Sequence, residues 1–77
     1  MSYELWDLVS RNATGFFDTE AEALRAVRSA AELHGRAYAE SFALVREDER
    51  GRSRTIARGT QLVDRAYASE GGDKIPA

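Results

Sequence analysis

Asp18-Thr-Glu-Ala-Glu-Ala-Leu-Arg-Ala-Val-Arg-Ser-Ala-Ala-Glu-Leu-His-Gly35 is the stretch that decides the fold, because it has the features of one complete helix. Thr19 and Glu22 have the spacing of a capping box, in which the hydroxyl accepts from the N3 amide and the carboxylate reaches back to the amide of the cap residue. Gly35 stands where a left-handed residue commonly ends a helix. We therefore predict an amphipathic helix from about Glu20 to His34. Its inner stripe is formed by Leu24, Val27, Ala31 and His34, with Ala23 and Ala30 alongside.

Strand-forming segments flank this helix on both sides. They are rich in aromatic and aliphatic residues and are joined in pairs by the turn-forming segments 10–15 and 49–52. Residues 36–40 connect the helix to the second pair and are compatible with one more helical turn. The order predicts an α+β domain of ββαββ type, with a four-stranded, mainly antiparallel sheet and one long helix on one face. The predicted strands are Tyr3–Val9, Phe16–Asp18, Ser41–Glu47 and Ser53–Arg58.

The C-terminal part predicts a short helix and a tail. Thr60 is a suitable cap for a helix that carries Leu62, Val63, Ala66 and Tyr67 on one side. Residues 71–77, Gly-Gly-Asp-Lys-Ile-Pro-Ala, are typical of a flexible terminus. We therefore expect one domain over residues 1–70 and a flexible tail over residues 71–77.

The composition restricts the chemistry open to this chain. Its 77 residues include no cysteine and one histidine, which excludes disulfides, thiolate metal sites and a multi-histidine zinc site within one chain. We expect neither a metal nor a cofactor. The N-terminal residues show no basic segment followed by an apolar run, and no apolar run is long enough for a membrane span. We therefore expect a cytoplasmic protein without a membrane partner.

The sequence offers no catalytic constellation. His34 is the one imidazole, and a general base needs a partner carboxylate and a pocket. Its position just before Gly35 is explained more simply by the favourable interaction of a histidine with the C-terminal end of a helix dipole. There is no glycine-rich phosphate loop, and nothing in the spacing pairs the carboxylates of the strand ends. We expect no catalytic residue and a protein that is not an enzyme.

The strands carry large apolar residues on both faces. Neighbours such as Leu5 and Trp6 point to opposite sides of a strand, and the same holds for two further pairs, Phe16–Phe17 and Leu44–Val45. The long helix covers one face, and small monomers rarely expose an apolar patch of the size left on the other. Either the C-terminal helix or a second subunit must cover it. We expect a homodimer formed through the sheet, with a different protein partner as a further option; the predicted interface residues are Trp6, Leu8, Phe16 and Val45.

Charge suggests an alternative function. The net charge is −2, yet residues 50–77 hold five arginines and one lysine against three acidic residues. Arginines on a two-stranded ribbon can contact phosphates and bases, so Arg46, Arg52, Arg54 and Arg58 are candidate nucleic-acid contacts. The spacing of Arg54 and Arg58 predicts that they share one strand face. The acidic run 47–49 and the overall negative charge favour instead an exposed hairpin whose charges deter edge-to-edge aggregation.

Three motifs carry a resemblance. They are Tyr3-x-Leu5-Trp6-Asp7, Phe17-x-Thr19-x-x-Glu22-Ala23-Leu24, and Ala43-Leu44-Val45 followed by Glu47-Asp48 and Gly51. The chain resembles a group of short uncharacterised bacterial proteins over about residues 3–66. Because that group has no established activity, the resemblance implies a stand-alone bacterial domain and no function. The sequence as a whole favours a small non-enzymatic interaction or regulatory module, with nucleic-acid binding as the alternative.

Overall fold

A computed structural model describes the backbone of residues 2–74 and the side chains of residues 2–68. It confirms the predicted α+β fold of ββαββ order followed by a C-terminal helix. The elements in chain order are β1 (Ser2–Asp7), β2 (Asn12–Phe17), α1 (Glu20–His34), α2 (Arg36–Ala39), β3 (Phe42–Glu47), β4 (Ser53–Arg58) and α3 (Gly59–Lys74). Helix α2 is the extra helical turn that the segment 36–40 allowed.

The four strands form one sheet in the order β2-β1-β3-β4, and every neighbouring pair is antiparallel. Each hairpin therefore contributes one central and one edge strand, and the two hairpins meet along β1 and β3. Leu5 lies directly opposite Leu44 in this central pair. Directly opposed residues point to the same face, so the register assigns every strand residue to one of two sheet faces.

Helix α1 begins and ends at the predicted residues. Thr19 Oγ1 accepts from the Glu22 amide at 3.1 Å as predicted, whereas Glu22 Oε1 accepts at 3.3 Å from the amide of Asp18, one residue before the cap. Gly35 has the expected positive φ of 97°, but its ψ of 154° is extended and not left-handed helical. The reason is that the chain leads directly into α2 instead of leaving the helix through a left-handed turn. The Gly35 amide still donates to the Ala31 carbonyl at 2.9 Å.

The hydrophobic core lies between one sheet face and a layer formed by α1 and α3. Strand residues such as Leu5 and Leu44 contribute to it from the sheet. The helix residues that pack against them come from both long helices; they are Ala23, Leu24, Val27 and Ala31 of α1, and Leu62, Val63 and Ala66 of α3. The C-terminal helix thus covers the same face as α1. In the described part of the chain, no helix covers the other face.

The boundaries of the first hairpin differ from the prediction. Residues 12–15, expected in the turn, belong to β2, and the turn is a tight one around Arg11 at φ 63°. A bulge makes this pairing irregular: Gly15 lies opposite Leu5 and Ala13 opposite Trp6, which leaves Thr14 as the extra residue. Thr14 Oγ1 donates to the Leu5 carbonyl at 3.3 Å. The amino-acid composition of the strands does not predict this contact.

The C-terminal helix extends through Lys74, beyond the domain boundary expected at residue 70. Residues 75–77 of the expected tail lie outside the described residues. Among residues 2–74, no helix combines the length and the apolar character needed to cross a bilayer.

Candidate interaction surfaces

The sheet face opposite the helices, here called the outer face, is built by strand alternation. Trp6 lies opposite Ala43, and Glu4 lies between Phe16 of β2 and Val45 of β3. These residues therefore project away from the core. The register adds further members to this face: Ala13, Glu47, Ser53, Thr55 and Arg58. Three of the four predicted interface residues, Trp6, Phe16 and Val45, are thus brought together.

The outer face carries the apolar side chains of Trp6, Phe16 and Val45, with the acidic Glu4 among them. Phe16 is 69% exposed, whereas Trp6 and Val45 are half-buried. The indole Nε1 of Trp6 donates to Glu4 Oε1 at 2.9 Å, which fixes the ring beside the carboxylate. A shallow depression of about 220 Å³ lies against Glu4, Trp6 and Val45. An aromatic residue with a satisfied N–H beside an open apolar surface is typical of protein interfaces.

The structure places Leu8 apart from this group. It follows the last paired residue of β1 and is 43% exposed in the turn, next to Val9 at 82%. Asp7 organises that turn, because its Oδ1 accepts from the Val9 amide at 2.9 Å. Leu8 is therefore a turn residue at the end of the sheet.

A second apolar opening lies between the edge strand β2 and α1. It is a groove of about 500 Å³ with Phe16, Phe17 and Ala26 among its lining residues. Glu22 and Arg25 of α1 form a charged side of the same groove. Phe16 thus contributes both to this groove and to the outer face, so tests of either surface need residues that belong to one alone.

Three of the four candidate nucleic-acid residues, Arg46, Arg52 and Arg54, border one depression, and Arg58 lies apart from them. Arg46 lies directly opposite Arg54 on the helix side of the sheet, and Arg52 lies in the turn between the two strands. Arg58 lies opposite Ala43 and so projects from the outer face. The prediction that Arg54 and Arg58 share a face is wrong. A bulge with Ile56 as the extra residue breaks the alternation between them.

Arg46 and Arg54 border a cleft between β4 and the helix layer, here called the arginine cleft. Its volume is about 270 Å³, and the other lining residues are Glu20, Thr55, Ile56 and Arg65. Arg65 Nε donates to Glu20 Oε2 at 2.6 Å. Sequence reasoning missed both of these residues, because 45 positions separate them and neither lies in a recognisable motif.

His34 shows no catalytic arrangement in the described residues. Its ring packs on Tyr38 at 4.9 Å between centroids, and it is exposed at the end of α1. The described residues also contain no group of three or more histidine, cysteine or carboxylate side chains that could hold a metal.

Comparison with known proteins adds no relative: no protein-family model, no curated protein and no solved structure matches this chain.

Proposed function

We propose that this chain is a small non-enzymatic interaction module that forms a homodimer through the outer face of its sheet. The observation that carries the proposal is the packing of both long helices on one side of the sheet. On the other side, Phe16 is largely exposed and Trp6 and Val45 are partly exposed. Burial of such a surface is favourable by about 25 cal/mol for each Å² of apolar area removed from water.

Charge placement supports a second copy as the occupant. Glu47 lies at one end of the outer face and Arg58 lies near the other end. Glu4 lies between them along the strand direction, two residues inward from the end that carries Glu47. In a symmetric dimer whose two-fold axis runs across the strands, opposite ends of the two faces meet. Arg58 of each copy then faces the acidic end of the other. The surface is therefore complementary to itself.

The size of the face predicts a weak dimer. Four strands about 4.8 Å apart and about 3.3 Å per residue give a face of roughly 20 by 20 Å. Stable complexes usually bury about 800 Å² on each partner, so we expect an association that depends on concentration. Sedimentation equilibrium from micromolar to millimolar protein is the appropriate measurement. Trp6 is the one tryptophan, and its emission should shift to the blue as the dimer forms.

Matched variants separate the outer face from other apolar surfaces. We expect Val45→Lys, which changes the outer face alone, to shift the chain to monomer. Ala26→Lys in the β2–α1 groove and Leu33→Ser, at a residue 77% exposed on α1, should leave the dimer intact. A chain that is monomeric up to millimolar concentration, or a dimer broken by Ala26→Lys and not by Val45→Lys, would overturn the proposal.

A charge exchange tests the orientation of the two copies. Arg58→Glu should weaken the dimer by repulsion from Glu47 at the acidic end of the other copy, and combining it with Glu47→Arg should restore association. Restoration in the double variant requires that the two positions meet across the interface. If both single variants weaken the dimer and the double variant weakens it further, the antiparallel arrangement of the two faces is wrong.

The alternative function, nucleic-acid binding by the second hairpin, has less support from this geometry. A ribbon that reads a groove needs its arginines on one surface, and Arg58 lies on the opposite face from Arg46 and Arg54. The acidic run 47–49 also lies in the same hairpin.

A further inference from the structure

Arg46 and Arg54 are two like charges on the helix side of the neighbouring strands β3 and β4. They are directly opposed across β3 and β4, both are exposed, and neither side chain has an ion pair or hydrogen bond among the described residues. Like charges directly opposite each other destabilise a sheet. Since no described carboxylate forms an ion pair with either arginine, an anion from solution is the natural source of compensation.

Helix α3 brings a third cation to the same place. Arg65 lines the arginine cleft together with Arg46 and Arg54, and Glu20 is the one carboxylate among the lining residues. The Arg65–Glu20 pair cancels one positive charge, which leaves the two strand arginines unneutralised. Guanidinium groups present planar pairs of donors that match the oxygens of a phosphate group. The local charge of the cleft therefore fits a dianion.

The surroundings favour a small ligand over a polymer. The cleft, at about 270 Å³, is slightly smaller than most small-molecule sites, which suits a compact ligand. An adjoining depression of about 320 Å³ shares Arg46 and Arg54 and adds Arg52, but it also includes Asp48. Glu47 and Glu49 flank that aspartate in the sequence, so an extended polyanion would meet repulsion on leaving the cleft.

We propose that the arginine cleft binds a small phosphate-bearing anion, with Arg46 and Arg54 as its main contacts and Arg65 as a third donor. Glu20 limits the affinity, because its carboxylate repels the ligand and competes for Arg65. The cleft lies on the helix side of the sheet and the proposed dimer face on the other side. Arg54 also borders the outer-face depression beside Trp6 and Val45, so Arg46→Gln, which does not alter that depression, distinguishes failure of this site from failure of the dimer.

NMR titration of the full chain with pyrophosphate at low ionic strength tests this site. We expect saturable shifts of the Arg46, Arg54 and Arg65 Nε–H resonances, weaker ones with inorganic phosphate, and none with adenosine. Arg46→Gln and Arg54→Gln should each lower the affinity for pyrophosphate about tenfold, the loss expected for a charge-assisted hydrogen bond. Arg58→Gln, which removes the same charge from the opposite face, is the matched control and should lower it less than twofold.

Glu20→Gln separates a ligand site from a merely structural cluster. It breaks the ion pair with Arg65 and removes the one carboxylate of the cleft, so we expect tighter pyrophosphate binding even though the fold loses a contact. Absence of saturation, or equal losses in Arg58→Gln and Arg54→Gln, would refute the site. Tight binding of a single-stranded oligonucleotide that pyrophosphate does not displace would assign the surface to nucleic acid instead.

Discussion

Arg36 and Asp64 join α2 to α3 through a charge-assisted hydrogen bond from the guanidinium Nη2 to Oδ1. The same guanidinium donates from Nε to Glu40 Oε2 at 2.9 Å. The next residue of α3, Arg65, pairs with Glu20, the first residue of α1. Two consecutive residues of α3 therefore reach the opposite ends of α1, one at its first residue and the other just beyond its last. These contacts orient α3 across α1 on the inner side of the sheet.

The first prediction concerns the pH dependence of the Arg36 contacts. The hydrogen bonds that Arg36 donates to Asp64 and then to Glu40 raise the pKa of its guanidinium above its already high ordinary value. A group with a raised pKa stabilises the fold fully below its unfolded pKa and loses that contribution only as the pH rises through the folded value. Arg36→Gln should therefore lower the melting temperature slightly and by the same amount from about pH 6 to pH 10.

The control for this experiment is Arg25→Gln, which removes an exposed arginine of α1 that has no ion pair among the described residues. It should leave the melting temperature almost unchanged. If the difference in melting temperature between wild type and Arg36→Gln disappeared between pH 8 and pH 10, Arg36 could not be the permanently charged partner of these contacts.

The second prediction concerns the packing of α3 on the core. Leu62 is fully buried, and Leu62→Ala should reduce the free energy of unfolding by about 2–5 kcal/mol. A single small core rarely supplies more than about 3–5 kcal/mol, so this variant should be largely unfolded at room temperature. Urea denaturation followed by circular dichroism measures the change. The exposed neighbour Gln61 provides the control, since Gln61→Ala should change stability by no more than about 0.5 kcal/mol. A mild effect of Leu62→Ala would show that α3 does not dock on the sheet.

Local features of the sequence were sufficient to predict α1 and the order of the elements. Thr19 and Gly35 mark the two ends of α1, and its apolar residues recur with helical spacing. The residues that favour a helix locally are therefore also those that place its apolar side on the core. The strand β4 was likewise predicted at its observed bounds, Ser53–Arg58.

The candidate sites depend on information that is not local. The bulge at Ile56 moves Arg54 and Arg58 to opposite faces, although strict alternation would place them together. The side of the sheet on which α3 packs is decided by its packing on β3, β4 and α1, with Leu62 and Val63 buried in the shared core. No spacing within α3 encodes that choice, so the sequence left open whether the helix or a second subunit covers the outer face.

The third prediction tests the N-terminal cap of α1. Thr19 Oγ1 satisfies the Glu22 amide, which would otherwise lack an intrahelical partner. Thr19→Ala should therefore reduce the free energy of unfolding by about 1 kcal/mol, and Thr19→Ser should restore most of it because the hydroxyl is kept. Chemical denaturation of the three proteins under one set of conditions gives the comparison. Equal losses in the alanine and serine variants would mean that the methyl group, and not the hydroxyl, is responsible.

The last prediction concerns the backbone at Gly35. Its φ of 97° and ψ of 154° lie in a region that only glycine occupies readily, and a Cβ there would meet nothing within 4 Å. Gly35→Ala should therefore destabilise the fold by about 1–3 kcal/mol through backbone strain alone. A chemically synthesised chain with D-alanine at this position carries the same methyl group with the handedness that favours positive φ. We expect it to be as stable as wild type. If the two alanine enantiomers destabilise the chain equally, the loss comes from the added methyl group and not from the conformation that joins α1 to α2.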